Sequence, residues 1–355
     1  MLTALLLIHR SAIDNGAKHM PLIKVTDVAY PTLQCPDLDI QEQFLVDFGM
    51  HTVSKSDDTL IMRGDGPQQF IEICKKGEKK FISTAFKADS MEDLKTLSEA
   101  AAFSDIEELS TPGGGFVTKA KDLDGIGVEV VYGIEDRKID ELPKPFPTNE
   151  GGQINRVNQL KRFNKGDTPR IIRFGHYGIN SLDIEKSLEW YNEHLGIIAS
   201  DILQPPAPPG EDPITVGIFA RLDKGSTPTD HHSIFWLNAH LVSEGIAGLN
   251  HVSFEMLNID DVFMGHELLK RKSEEYGYEL EWGVGRHYQG SQIFDYWRSP
   301  FKQVHEHQTD GDYLDNTIPP QIVNPMSDGD PDYPEFGPSQ WGAAISQTFG
   351  NKEGT

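Results

Sequence analysis

The sequence predicts an α+β fold in which four βαβββ modules pair into two cupped-sheet domains. Two observations carry this prediction. Four short apolar windows have the composition of β-strands, and an amphipathic helix with capping residues follows each of them. Two or three further strand-like runs, separated by Gly, Pro or Asp, come after each helix. One unit therefore recurs four times along the 355 residues.

The first pair of modules starts at the strand-like windows 24–30 and 81–87. The helix predicted after the first window, Asp39–Phe48, has apolar residues four apart and stops at Gly49. The helix predicted after the second window opens with Ser90-Met-Glu-Asp93, in which the serine and the acid can each bind a free N–H of the first turn.

The second pair of modules repeats this arrangement from the windows 171–178 and 249–256. The third helix is expected at about 181–194. The fourth begins after Asn258, carries acidic residues in its first turn and stops before Gly277.

Changes in composition divide the chain into five segments. The predicted segments are a leader or tag-like stretch at 1–20, an N-terminal module pair at 21–135, a linker at 136–168, a C-terminal module pair at 169–312, and a tail or lid at 313–355. The tail has many Pro, Gly and Asp residues but also Tyr333, Phe336, Trp341 and Phe349, so it is expected to be either disordered or wrapped over the surface.

The composition excludes several classes of partner. The net charge of −23 disfavours nucleic acid and anionic membranes, because phosphate would be repelled. Two cysteines cannot form a disulfide framework or a four-thiolate zinc site. No apolar run has the length of a membrane span, and residues 1–8 lack the basic start of a signal peptide. We therefore expect a soluble cytoplasmic protein.

Chemically active side chains distinguish the second module pair from the first. When the strands of the two pairs are aligned, three positions carry His, His and Glu in the second pair and no comparable set in the first. The aligned residues are His176 near Asp27, His251 on Ser83 and Glu306 on Val131. We expect the first pair to be a non-catalytic copy and the second pair to hold the site.

Strand alternation supports a shared site. His251 points away from its apolar neighbours, towards the cupped face, and Glu306 lies on the opposite face from His305 and His307. Those two histidines are therefore expected to be surface or second-layer residues. Two imidazoles and one carboxylate on three strands form a facial triad, which binds Fe(II) or Mn(II) and leaves positions open.

Four motifs of the second pair resemble the type I extradiol ring-cleavage dioxygenases of the vicinal oxygen chelate superfamily, over about residues 22–312. The motifs are Phe174-Gly-His-Tyr-Gly178, His231-His-Ser-Ile-Phe235, Leu249-Asn-His-Val-Ser-Phe254 and Gly285-Arg-His287. The spacing after the last motif is the most specific feature: Tyr296 follows His287 by nine residues and Glu306 follows it by nineteen, as in that family.

The resemblance implies a function for each of these residues. His176, His251 and Glu306 would bind Fe(II), with Mn(II) as the alternative metal. His232 would be the acid/base next to dioxygen, and His287 and Tyr296 would bind the substrate hydroxyls. The implied reaction is extradiol (meta) cleavage of a small catecholic aromatic by dioxygen to a ring-opened semialdehyde or ketone in aromatic catabolism. The resemblance also implies a homo-oligomer and no organic cofactor.

Two other functions stay open from the sequence. A glyoxalase-like isomerase or lyase shares the fold but usually has four protein ligands on its metal, and a non-catalytic binding protein would be expected to have lost a ligand. The substrate is also open: Trp190, Phe235, Trp236 and Phe294 fit either a pocket or the core, and Arg221 and Arg298 fit either a carboxylate site or a structural role. The Pro-rich stretch 204–229 is expected to be an insertion that shapes the pocket.

Overall fold

The computed structural model describes residues 20–139, 141, 144–164, 166–325, 339–346 and 348–349. Within these residues the chain forms two large mixed sheets and five helices, which confirms the predicted α+β class. The first half contains Asp27–Cys35 (β1), Leu38–Phe48 (α1), His51–Lys55 (β2), Thr59–Arg63 (β3), Glu72–Lys76 (β4), Lys80–Lys87 (β5), Met91–Ser98 (α2), Glu107–Glu108 (β6), Phe116–Lys121 (β7) and Gly127–Tyr132 (β8).

The second half has the same order of elements, with additions. It contains Ile171–Ser181 (β9), Ile184–Leu195 (α3), Ile197–Leu203 (β10), Gly217–Leu222 (β11), Thr229–Asp230 (β12), Ile234–Asn238 (β13), Ala239–Val242 (α4), Gly248–Met256 (β14), Ile259–Tyr276 (α5), Glu279–His287 (β15), Ile293–Arg298 (β16), Val304–Thr309 (β17), Tyr313–Leu314 (β18), Gln321–Val323 (β19) and Ser339–Gly342 (β20).

Both sheets have the strand order expected of paired βαβββ modules. The first sheet runs β2-β3-β4-β1-β5-β8-β7-β6. The second runs β10-β11-β13-β9-β14-β17-β16-β15, with β19 added at one edge and β20 at the other. In each sheet the first strands of the two modules, β1 with β5 and β9 with β14, pair antiparallel at the centre. The four repeats predicted from the sequence are therefore present.

Helix ends follow the capping signals of the sequence. Asp37 accepts hydrogen bonds from the N–H groups of Asp39 and Ile40, and Gly49 closes α1 at a φ of 116°. Ser90 and Asp93 form the predicted capping box of α2. Among the described residues, no helix combines the length and the apolar character needed to cross a membrane.

The extent of the predicted insertion is wrong. Residues 204–229 include β11, which is a regular strand of the third module, so only the loop 204–216 is extra. The strand is hard to recognise from sequence because the charged Arg221 stands near its end. The Arg221 side chain is buried and donates hydrogen bonds to the backbone carbonyls of Ala199 and Ile318.

His305 and His307 were predicted to be surface or second-layer residues, and the surface location is wrong. Both are fully buried, on the face of β17 that contacts the first half of the chain. His305 Nε2 lies 3.3 Å from a carboxylate oxygen of Glu72, and His307 Nε2 donates to the carbonyl of Phe48 at 2.7 Å. One apolar core continues through both halves here. The interface of the halves is therefore part of the core.

Candidate metal centre

Three side chains converge on the cupped face of the second sheet. His176 lies on β9, His251 on β14 and Glu306 on β17. Glu306 Oε2 is 3.0 Å from His176 Nε2 and 3.6 Å from His251 Nε2, and the two Nε2 atoms are 3.2 Å apart. All three residues are buried. The structure thus brings together the three metal ligands that the sequence predicts.

The arrangement of these three side chains fits coordination of a divalent metal ion better than hydrogen bonding among them. Neither carboxylate oxygen of the buried Glu306 is in hydrogen-bond geometry with a described group, although the imidazoles are close. A buried carboxylate without hydrogen bonds is costly unless a cation compensates it. Metal bonds of about 2.1 Å that meet at right angles place their donor atoms about 3 Å apart, which is close to the separations found here.

Sheet register explains why the three residues meet. His176 pairs with Ser253 across the antiparallel β9–β14 contact, and Ser253 pairs with Glu306 across the parallel β14–β17 contact. His251 lies two residues before Ser253 and so shares its face. Opposite His251 stands Gly178, where an added Cβ would come within 2.7 Å of the imidazole. The glycine leaves the space that the His251 ring occupies.

Burial favours the neutral form of two of these histidines, His251 and His232. It lowers the pKa of His251 to about 3 and that of His232 well below its usual value. Burial alone would raise the pKa of Glu306, but the imidazoles of His176 and His287 lower it well below its usual range. Around pH 7, His251 therefore presents an imidazole lone pair and Glu306 an ionised carboxylate, which are the states that bind a metal.

The other predicted site residues surround this centre. The His232 ring centroid is 4.3 Å from that of His176. His287 Nε2 lies 2.8 Å from the Tyr296 hydroxyl and 3.4 Å from Glu306 Oε1, and Tyr296 pairs with Glu306 across β16 and β17. Burial, followed by the Glu306 carboxylate, raises the pKa of Tyr296 well above its usual value, so the phenol keeps its proton.

Several residues to which the sequence analysis gave no role at the site lie next to it. Asn250 Oδ1 accepts a hydrogen bond from His251 Nδ1 at 2.6 Å, which leaves Nε2 unprotonated. Asp201 and His231 contact each other behind His232. Phe349 of the tail packs against Tyr296, with ring centroids 5.1 Å apart. Only Asn250 carried a local signal, since it stands next to a ligand histidine.

Of the four aromatic residues that fit either a pocket or the core, Phe294 and Phe235 lie beside the candidate metal centre, and Trp236 and Trp190 lie away from it. Phe294 stacks on His287 at 4.0 Å, and Phe235 stacks on Phe219, whose ring contacts His232 at 4.8 Å. Trp236 is fully buried against Tyr191, and Trp190 stacks on His194 at the end of α3.

Both arginines considered for a carboxylate site have structural roles. Arg298 pairs with the buried Glu281, and Arg221 donates to backbone carbonyls. Of the predicted tail aromatics, Tyr333 and Phe336 lie outside the described residues, as do residues 1–19 of the predicted leader.

The first sheet carries a hydrogen-bonded counterpart of this centre, which corrects two of the expected alignments. Tyr30 pairs with Ala85, and Ala85 pairs with Glu129, in the same register as His176, Ser253 and Glu306. Glu306 therefore corresponds to Glu129 and not to Val131, and His176 corresponds to Tyr30 and not to Asp27. The expected alignment of Glu306 was displaced by two residues, which leaves the side chain on the same strand face. The expected alignment of His176 was displaced by three residues, and the bulge in β1 conceals this displacement.

The counterpart differs from the candidate metal centre in its donors. The hydroxyls of Tyr30 and Ser83 donate to the two oxygens of Glu129 at 3.1 and 2.8 Å. The Glu129 carboxylate is thus satisfied by protein hydrogen bonds, whereas the Glu306 carboxylate is not. This contrast supports a metal role for the second sheet alone.

Comparisons with known proteins agree with this architecture. Residues 173–301 match the Glyoxalase/Bleomycin resistance protein/Dioxygenase superfamily. The chain is 25% identical over 298 residues to metapyrocatechase 2 of Cupriavidus necator, which covers 83% of this chain and 84% of that protein.

Two solved structures show the same fold. The Mn(II)-bound glyoxalase of Novosphingobium aromaticivorans has a TM-score of 0.68 at 23% identity, covering 92% of this chain and 94% of that one. A mutant of homoprotocatechuate 2,3-dioxygenase from Brevibacterium fuscum has a TM-score of 0.66 at 17% identity, covering 87% and 78%. Residues 173–301 therefore match the Glyoxalase/Bleomycin resistance protein/Dioxygenase superfamily, and the resemblance of the chain to extradiol dioxygenases is confirmed.

Proposed function

We propose that the chain is an Fe(II)-dependent extradiol dioxygenase that cleaves a catecholic aromatic next to its diol. The observation that carries the proposal is the convergence of His176, His251 and Glu306 in one cup with the polar groups of His232, His287 and Tyr296. Bound to the three ligands, ferrous iron would bring diol and dioxygen together and pass electrons between them. Both oxygen atoms enter the ring-opened product, so no reductant is consumed.

The protein's own residues bind the diol and move its protons. The neutral His232 imidazole accepts a proton from a diol hydroxyl and returns one later as a general acid/base. The phenol of Tyr296 and the imidazole of His287 hold the substrate oxygens by hydrogen bonds. Phe294 and Phe349 supply apolar surface for the ring. A homo-oligomeric state and a cytoplasmic location stay predictions from the sequence.

A metal-dependent isomerase is the second candidate, because the glyoxalase of Novosphingobium aromaticivorans shares the fold over nearly the whole chain. The three-residue ligand set of the described part favours the dioxygenase, since it leaves positions for both a diol and dioxygen. Mn(II) is the alternative metal for either function.

Oxygen uptake tests the proposal. Full-length protein is loaded with Fe(II) without air and mixed with a panel of catechols, while the yellow ring-fission product is followed by absorbance. We expect uptake with product formation, and a loss of at least about 100-fold in Glu306→Gln and His232→Phe. The exposed His240 provides the control, and His240→Phe should keep full activity.

The other outcomes point elsewhere. Bound iron without uptake from any diol would contradict the proposal. Isomerisation of a hemithioacetal by the Mn(II)-loaded protein would then support the second candidate. A protein that binds no metal would show that the ligand set itself is wrong.

A further inference from the structure

A buried chain of hydrogen bonds leads from a carboxylate to His232. Asp201 lies on β10, and His231 and His232 lie just before β13. His231 Nε2 is 3.1 Å from Asp201 Oδ2, and His231 Nδ1 is 3.1 Å from His232 Nδ1. All three residues are buried, so they form a fixed array and not the solvated pair that adjacent histidines would form on a surface.

The Asp201 carboxylate determines which ring nitrogen carries a hydrogen in this series of hydrogen bonds. A carboxylate only accepts hydrogen bonds, so the Nε2 of His231 must carry the hydrogen. In the form of His231 that has a single N–H, Nδ1 is therefore an acceptor. His232 must then donate from its own Nδ1. Its Nε2 is left without a proton and is free to accept one.

The surroundings hold His231 in place from both sides. Its backbone N–H donates to the carbonyl of Asp312 at 2.9 Å, and its carbonyl accepts from the Ser200 hydroxyl at 2.5 Å. Arg221 donates to that hydroxyl at 2.8 Å. These contacts fix the backbone of His231 beside Asp201.

We propose that Asp201 and His231 are positioning residues that hold His232 as the Nδ1–H tautomer, with Nε2 ready to take a proton from substrate. The role of the His232 Nε2 as a base rests on the proposed function. The tautomer of His232 is independent of that function, because it follows from contacts within the protein. The opposite tautomer would present an N–H and could not act as a base.

Nitrogen-15 NMR reads the tautomer directly. Full-length protein labelled in its histidines is loaded with Zn²⁺, which is diamagnetic, and long-range proton–nitrogen spectra are recorded. His232 is assigned by comparison with His232→Phe. We expect a protonated Nδ1 and a bare Nε2 for His232 in the wild type, and a mixture of tautomers in Asp201→Leu. A wild-type His232 protonated at Nε2, or unchanged signals in Asp201→Leu, would overturn the proposal.

A second measurement separates positioning from folding. Asp201→Glu should keep the wild-type tautomer, whereas Glu92→Gln, at an exposed carboxylate that pairs with Lys95, should leave the tautomer unchanged. If Asp201→Leu does not fold, His231→Phe carries the same test. With an active enzyme, Asp201→Leu should lower kcat about 100-fold at unchanged metal affinity. If no catechol is cleaved, the NMR result still decides the tautomer.

Discussion

Asn250 accepts a hydrogen bond from the Nδ1 of His251 at 2.6 Å, and this contact selects the ring nitrogen that faces Glu306. Without the amide oxygen, His251 can rotate or change tautomer at a site where it must offer Nε2. Such partners of ligand histidines commonly contribute a factor of about 10 to 100 in metal affinity. We therefore expect Asn250 to contribute to metal affinity through its contact with His251.

We expect Asn250→Ala to weaken Mn(II) binding about 10- to 100-fold without unfolding the protein. The free Mn(II) signal in electron paramagnetic resonance measures this affinity. Asn192→Ala is the matched control, because Asn192 donates to the Ile197 carbonyl at the end of α3, away from the centre. Equal affinity in wild type and Asn250→Ala would show that the His251 tautomer is set by something else.

The candidate metal ligands were predictable from sequence because they stand out locally. His251 breaks an apolar alternation, and Glu306 interrupts a strand in the same way. The contact of Asp201 with His231 was not predictable, since the two residues are thirty positions apart and Asp201 resembles the other acidic residues of an acidic chain.

At the scale of elements, residues 339–342 of the predicted tail become part of the second sheet. Strand β20 pairs with β15, and the Trp282 indole donates to the Ala343 carbonyl at 2.8 Å. The hydroxyls of Ser346 and Thr348 donate to Glu281. These contacts bring Phe349 to His251 and Tyr296, at 6.2 and 5.1 Å between ring centroids. They support the sequence-based prediction of a lid for this part of the tail.

We expect Phe349→Ala to raise the KM for the preferred catechol about tenfold, because burying a phenylalanine ring is worth about 1.5–3 kcal/mol and a tenfold change needs about 1.4. Oxygen-uptake kinetics across the catechol panel measure it. Phe146→Ala, in the exposed segment before β9, should leave KM unchanged. Identical kinetics in Phe349→Ala for every substrate would rule out the lid, as would unchanged kinetics after truncation at Thr317.

Helices were easier to predict than strands. The ends of α1, α2 and α5 depend on capping residues that are adjacent in sequence, such as Ser90 with Asp93. Strand β11 was missed because its character depends on Arg221 being buried by carbonyls of β10 and of the segment before β19. No local pattern reveals such partners.

At the scale of the molecule, a buried pair joins the two halves. Glu72 on β4 meets His305 on β17, and both side chains are fully buried. Removing one member of such a pair leaves an uncompensated polar group in the core. The pair therefore contributes to the stability of the whole chain.

We expect Glu72→Leu to lower the free energy of unfolding by about 3–5 kcal/mol, as measured by urea denaturation. Asp65→Leu breaks the more exposed pair with His51 and should cost at most about 1 kcal/mol. A similar effect of the two substitutions would show that Glu72 does not link the halves.

Acid should destabilise the metal-free protein through its buried histidines. Burial lowers the pKa of both His307 and His251 to about 3, so these imidazoles stay neutral in the folded state while the unfolded chain takes up protons below about pH 6.5. Stability is therefore lost as the pH falls. Each group contributes a loss of about 2 kcal/mol between pH 7 and pH 5. Burial raises the pKa of Asp122 to about 6, which opposes part of this loss.

The variant His307→Gln isolates one of these contributions. Glutamine can still donate to the Phe48 carbonyl but does not titrate, so its loss of stability from pH 7 to pH 5 should be smaller than that of wild type by about 2 kcal/mol. Urea denaturation at both pH values measures the difference. Equal losses would mean that His307 titrates normally in the folded protein.

The sequence by itself determined the four βαβββ modules, the helix ends and the candidates His176, His251 and Glu306. Each depends on periodicity, capping or spacing, which neighbouring residues carry. Only the tertiary structure decided that Glu129 is the counterpart of Glu306, that Asp201 reaches His231 and that Phe349 lies over His251. Register and long-range contacts depend on bulges and on packing between distant segments. One local sequence pattern is therefore compatible with several strand registers and several sets of long-range contacts.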